Sequence, residues 1–169
     1  KETLRMSMNA LDLFKKLEMQ QDISRVHIVI AEAYIALREY DNASKILKEG
    51  IKIAQYINDT LAVGKLYQIN GVLFNETNDY KNALSFFENA LEQFEFAEFK
   101  TAIIEVTLQM AKTHLEYKKY KESKGCFEKA SKFVAGKDSK LSKIQIDGYL
   151  LYLDHLQGRF NKKLVYYIG

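Results

Sequence analysis

The chain has 169 residues, 47% apolar and 28% charged, with no proline and a net charge of +3. This ordinary globular composition supplies enough chain for a continuous core, and the charge is too small for general nucleic-acid binding. A single cysteine, Cys126, excludes an internal disulfide framework. No apolar run approaches the roughly 18 to 20 residues that cross a bilayer, and no signal-peptide pattern opens the chain. A cytoplasmic location is expected, although the first residue is Lys1 rather than Met.

The first element expected is a helix over residues 1–20, carrying Leu4, Met8, Ala10 and Leu11. Beyond it, apolar residues step by three and four: Ile23, Val26, Ile30, Ala33, Tyr34 and Leu37, then Ala43, Leu47, Gly50, Ile51 and Ala54. That spacing predicts a helix over 23–38 paired with one over 41–57. The same reading pairs 59–77 with 80–96, 99–117 with 120–135, and 139–157 with 160 onward. Asp22, Asp59 and Ser139 stand where helix N-caps are wanted. Asn58-Asp59 and Gly136-Lys137-Asp138 supply turn chemistry between the pairs.

The pairs are copies of one another. Tyr40-Asp-Asn-Ala43 precedes Leu47 and Gly50, Tyr80-Lys-Asn-Ala83 precedes Phe87 and Ala90, and Tyr120-Lys-Glu-Ser123 precedes Phe127 and Ala130. Phe160-Asn-Lys-Lys163, followed by Tyr167, continues the series in a degenerate form, and the period is 40 residues throughout. A fixed period of this size marks stacked supersecondary units. Small residues recurring on one helix face let a neighbouring backbone come close, with aromatic side chains filling the space around it. Ala10 keeps the register of Gly50, Ala90 and Ala130. The chain is therefore expected to open on the second helix of a repeat, followed by repeats over about 23–58, 59–98, 99–138 and 139–169, as one domain cut from something longer. Asp147 and Asp154 stand where apolar packing residues belong in the last repeat, which suits a polar end cap.

This pattern resembles the tetratricopeptide repeat. Ala31 with Tyr34, Gly71 with Phe74 and Ala111 with His114 fit its first helix; Tyr40 with Ala43, Tyr80 with Ala83 and Tyr120 with Ser123 fit its second. The resemblance implies an all-α, right-handed superhelical solenoid of antiparallel helix pairs, although the spacing exceeds the usual 34 or so residues. Long repeats rich in Lys, Asn, Tyr and Ile are also similar to the ligand-binding domains of the Rap, NprR and PlcR group of bacterial peptide-sensing regulators. That likeness implies a superhelical domain that binds a short signalling peptide.

Little in the chain points to catalysis. His27, His114 and His155 fall at unrelated places in the repeats, Cys126 abuts Phe127 on a packing helix, and Glu76 and Asp79 merely flank a turn at Asn78. No metal, cofactor or enzymatic activity is expected. The lysines of the third repeat, Lys112 to Lys132, read as a solvated face rather than a phosphate site. In the implied fold the first helices line a concave groove: Arg25, Ile28, Glu32 and Ile35; Lys65, Gln68, Val72 and Asn75; Glu105, Leu108, Lys112 and Leu115; Gln145, Tyr152 and His155. Amides, both signs of charge and apolar residues suit an extended peptide, or a protein partner, in that groove. The alternative is a scaffold that assembles a multiprotein or self-associated complex, as a repeat region of a sensor kinase would. Neither direct nucleic-acid nor membrane binding is expected. Dimers or end-to-end packing are, because Leu4, Met8 and Leu11 at one end and Leu164, Tyr166 and Tyr167 at the other would expose apolar faces.

Overall fold

The structure is a computed structural model that describes residues 1–134 and 140–158. Every regular element among them is an α-helix: α1 (Glu2–Lys16), α2 (Gln20–Ala36), α3 (Tyr40–Tyr56), α4 (Thr60–Glu76), α5 (Tyr80–Phe96), α6 (Lys100–Glu116), α7 (Tyr120–Phe133) and α8 (Lys140–Leu156). The expected all-α repeat solenoid is what the chain adopts. Its contacts divide it into two compact units, Lys1–Phe99 and Lys100–Gly169. The turn at 136–138, the cap at Ser139 and the apolar residues Leu164, Tyr166 and Tyr167 lie outside the described residues, as do Phe160 and Lys163.

The 40-residue sequence period is built from a 20-residue backbone period, since successive helices open at Gln20, Tyr40, Thr60, Tyr80, Lys100, Tyr120 and Lys140. Each of the first six linkers turns through a left-handed residue: Glu18, Arg38, Asn58, Asn78, Glu98 or Lys118, with φ between 51° and 60°. The hydrogen bonds are those of a Schellman helix end: Arg38 N–H donates to Ile35 O and Glu39 N–H to Tyr34 O, both at 2.9 Å, closing α2. Asn tolerates this conformation well, whereas Glu, Arg and Lys carry a steric cost of about 1 to 2 kcal/mol. The repetition of one linker, within pairs and between them, makes these six interhelix turns alike.

Helix starts are less uniform. Asp59 accepts a hydrogen bond from Ala62 N–H at 3.0 Å, capping α4 as expected. Asp79 caps α5 in the same way through Asn82 N–H at 3.2 Å, and its other oxygen accepts from the Asn82 amide at 2.6 Å. Asp22 is not a cap. The helix begins earlier than its apolar pattern, with Met19 at the N-cap, so Asp22 lies inside the first turn, where its charge meets the positive end of the helix dipole.

In the first unit α2 packs on α1 and α3, and α4 on α2, α3 and α5. Ala31, Ala43, Leu47, Ala54, Leu66 and Leu73 form one core cluster, with Tyr34 and Tyr40 packed against it. The small positions act as anticipated. Gly71 lies so close to the buried Phe87 ring that a Cβ there would stand 2.5 Å from its carbons. In the second unit α7 packs on α6 and α8, and Ala111, Phe127, Ala130, Ile146 and Leu153 form the core with Tyr120 beside it. Ser123, at the small position, is fully buried and donates its hydroxyl to Ala111 O at 2.8 Å. Tyr40, Tyr80 and Tyr120 each open a second helix and each is half-buried, as their shared register requires.

Candidate functional site

The predicted ligand-facing residues divide between the units. In the first, α2 places Arg25 and Glu32 in solvent, with Ile28 and Ile35 half-buried between them. On α4, Lys65, Val72 and Asn75 are half-buried, but Gln68 is only 1% exposed. The expectation that Gln68 projects into an open groove is therefore corrected. α4 is covered by α2, α3 and α5 together, and its buried residues run around the helix from Ala62 to Leu73. Such a helix has little face left to offer.

The second unit gathers four of the predicted residues around one pocket. Leu108 and Lys112 on α6, with Gln145 and Tyr152 on α8, line a cavity of about 340 Å³ together with Ile146, Gly148 and Tyr149. Glu105 is exposed on α6, Leu115 is half-buried, and His155 is exposed near the end of α8; none of the three lines the pocket. Gln145 and Lys112 are exposed, and Tyr152 keeps 50% of its surface in solvent. Gly148 opens the wall, since a Cβ there would have no neighbour within 4 Å.

Tyr149 organises the site, and the repeat register did not single it out. Its ring stacks on the fully buried Phe127 with centroids 4.8 Å apart and planes at 11°. The Lys112 ammonium stands 5.9 Å from the Tyr149 centroid. A cation over an aromatic ring is held by the ring quadrupole, worth roughly 0.5 to 1 kcal/mol at an exposed site. The pocket thus offers a positive charge and an amide at its rim, with aliphatic and aromatic surface between them. The signal available in sequence was Phe127 opposite a Tyr-rich segment, Tyr149 to Tyr152, in the degenerate repeat.

The basic cluster of the third repeat is not a uniform positive face. Lys124 forms a 2.7 Å ion pair with Asp154 that joins α7 to α8, so Asp154 packs internally, while Asp147 stays exposed. The wide depression beside that pair, about 730 Å³ and lined by Lys121, Lys124, Gly125, Glu128 and Gln157, has mixed charge.

The groups considered for chemistry are engaged elsewhere. His27 is fully buried, its Nδ1 2.6 Å from Ile23 O and its Nε2 3.6 Å from Glu49. His114 is buried as well. Burial pushes the Cys126 thiol above its ordinary pKa, an effect that nearby Lys129 only partly offsets. Asp79 is occupied as a cap. No group of three or more His, Cys, Asp and Glu residues suited to a metal occurs among the described residues. None of the described helices is long and apolar enough to cross a membrane.

Comparison with known proteins supports the repeat reading. Residues 24–56 match the tetratricopeptide repeat family. A search of curated protein sequences returned no match. Among solved structures, BtubC (BKLC) from P. vanneervenii is similar with a TM-score of 0.74 at 13% identity, over 83% of this chain and 59% of that one. A Rap protein complexed with Competence and Sporulation Factor is similar with a TM-score of 0.74 at 18% identity, over 89% of this chain and 40% of that one. The chain thus spans less than two thirds of either neighbour, and at these identities the likeness is one of fold.

Proposed function

We propose that this tetratricopeptide-repeat chain, a protein-interaction module by its architecture, binds a peptide segment, and that the pocket between α6 and α8 is one of the places where it does so. The observation that carries the reading is the convergence of Leu108, Lys112, Gln145 and Tyr152, from two first helices, on a pocket of about 340 Å³. A volume of that order matches the lower end of small-ligand sites and is ample for one large side chain of a peptide. Tyr152 and Leu108 would take its apolar surface, Gln145 its backbone amide, and Lys112 a carboxylate. In the first unit Arg25, Glu32, Lys65 and Asn75 extend the candidate surface. The similar Rap structure, solved with Competence and Sporulation Factor, supports a sensory role in a bacterial peptide-responsive regulator acting in the cytoplasm.

Selection of peptides from a random display library on the immobilised chain, followed by calorimetry, tests this. Tyr152→Ala and Lys112→Ala should each weaken a selected peptide by about tenfold, the loss of one well-placed contact, without lowering the melting temperature. Failure to enrich any peptide, or enriched peptides indifferent to both substitutions, would sink the proposal.

A further inference from the structure

Gly50, Gly64 and Gly71 have a packing reason, since a Cβ at each would stand 2.5 to 2.9 Å from His27, Phe94 or Phe87. Gly148 has none. A Cβ there meets no atom within 4 Å, although glycine inside a helix costs stability relative to every residue but proline. The 40-residue period puts Gly148 in line with Ile28, Gln68 and Leu108, each of which fills its position with a half-buried or, for Gln68, buried side chain. Two other glycines are unopposed, and both are accounted for. Gly125 falls in line with Lys45 and Ser85, which are exposed, so no packing side chain belongs there. Gly158 sits at a left-handed φ of 67° that glycine adopts readily.

The notch at Gly148 opens into the pocket between α6 and α8. Gln145, Gly148 and Tyr152 are spaced by three and four residues and so share one face of α8, and all three line the pocket together with Leu108 and Lys112 of α6. The notch is one side chain wide. An amide and an aromatic ring bound it along α8, and an aliphatic side chain and a cation belong to the other wall. Whatever enters comes against helix backbone, an approach that glycine permits. A planar ring fits these terms: it can lie on the backbone at Gly148 against Tyr152, half of whose surface is in solvent, and turn a π face to the Lys112 ammonium. An aliphatic side chain gains neither contact. Resting on the reading that this pocket binds a peptide segment, we propose that it selects an aromatic side chain of that peptide, and that Gly148 is the specificity-determining residue because it leaves room for the ring.

The test compares the whole chain with its Gly148→Leu variant, which restores the side chain that Leu108 carries at the same position of the preceding repeat. The probes are peptides selected from a random display library by the parent chain. They should share one Phe, Tyr or Trp. In calorimetry, changing that residue to Leu should weaken binding about fivefold, and changing it to Ala about thirtyfold. Gly148→Leu should weaken the aromatic peptide about thirtyfold but the Ala peptide by no more than about twofold, the non-additivity of two groups that compete for one space. Its melting temperature should not fall, since leucine favours the helix. If it does fall, Gly148→Ala takes its place, with about a fivefold loss expected against the aromatic peptide. Peptides that depend on Tyr152 and Lys112 but share no aromatic residue, accept Leu equally well, or bind the Gly148 variant unchanged overturn this inference and leave the pocket a peptide site. No enriched peptide, or peptides indifferent to Tyr152→Ala and Lys112→Ala, overturn the peptide reading and this inference with it.

Discussion

The two units share a backbone plan and differ in how tightly it is filled. In the first, Gly50, Gly64 and Gly71 each lie against an opposing side chain: His27, Phe94 and Phe87 respectively, close enough that a Cβ would sit at 2.5 to 2.9 Å. In the second, Gly125 and Gly148 face open space. The first unit spends its small residues on close helix approach, and its central helix α4 keeps only half-buried residues such as Lys65 and Asn75 towards solvent. The second leaves Gly125 and Gly148 unopposed and keeps a pocket lined by Lys112, Tyr149 and Tyr152. The cavity thus lies where packing has been relaxed, in the less perfect copy of the motif.

Glycine substitutions break this comparison most directly. Gly71→Ala should destabilise the protein by roughly 2 kcal/mol, because the Phe87 ring must shift within a filled core. Calorimetric melting measures it, and an unchanged melting temperature would show the first unit to be less tightly packed than its geometry. Gly148→Ala and Gly125→Ala should do the reverse, each adding about 1 kcal/mol through helix propensity alone. Urea unfolding of the two variants would read that gain, and a loss at either position would mean that the space beside it is needed.

Helix caps vary within the first unit as well as between the units, since α2 and α3 start at Met19 and Glu39 without a side-chain cap. α4 and α5 begin at Asp59 and Asp79, which accept backbone hydrogen bonds, whereas α7 begins at Lys119, which makes none with its side chain. Asp79→Ala should cost about 1 kcal/mol, and Lys119→Asp should gain a similar amount, both measured by urea unfolding. If Asp79→Ala were neutral, the cap would be redundant with tertiary packing. The linkers supply the control. Arg38→Gly and Lys118→Gly remove the same left-handed strain in the two units, and each should add about 0.5 kcal/mol after the flexibility of glycine is subtracted. Unequal gains would place the difference between the units in the backbone rather than in the side chains.

The smallest effect concerns Cys126. Its thiol is held above the usual range, chiefly by burial, so the unfolded chain loses that proton at lower pH than the folded one does. The folded state then binds more protons, and stability falls as pH rises. The contribution is complete below the ordinary thiol range and is lost as pH climbs through the raised value. Alkylation at neutral pH should be slower than for a free cysteine and should quicken upon unfolding in urea, which a thiol-reactive dye would follow. Equal rates in the folded and unfolded chains would contradict this.

The helices and their order were legible because the signals are local and repeated. Apolar residues at three- and four-residue steps specify a helix wherever they occur, and recurrence of Tyr40, Tyr80 and Tyr120 fixes the register without knowledge of any contact. The closeness of the small-residue crossings was legible for the same reason. Other features depended on which surfaces meet. Asp22 has the chemistry of a cap, but the start of α2 is set by the left-handed turn at Glu18 before it. Gln68 occupies a groove register and is buried because α4 has neighbours on three sides. Asp154 reads as a solvated end-cap carboxylate until Lys124, thirty residues away in sequence, is found 2.7 Å from it. Tyr149 became the centre of a pocket only through stacking on Phe127 and the approach of Lys112 from another helix. Periodicity within one helix is a property of that helix alone, so the chain by itself determines it. Whether a given face is covered depends on the number of neighbours the fold supplies, and that was decided by the tertiary structure.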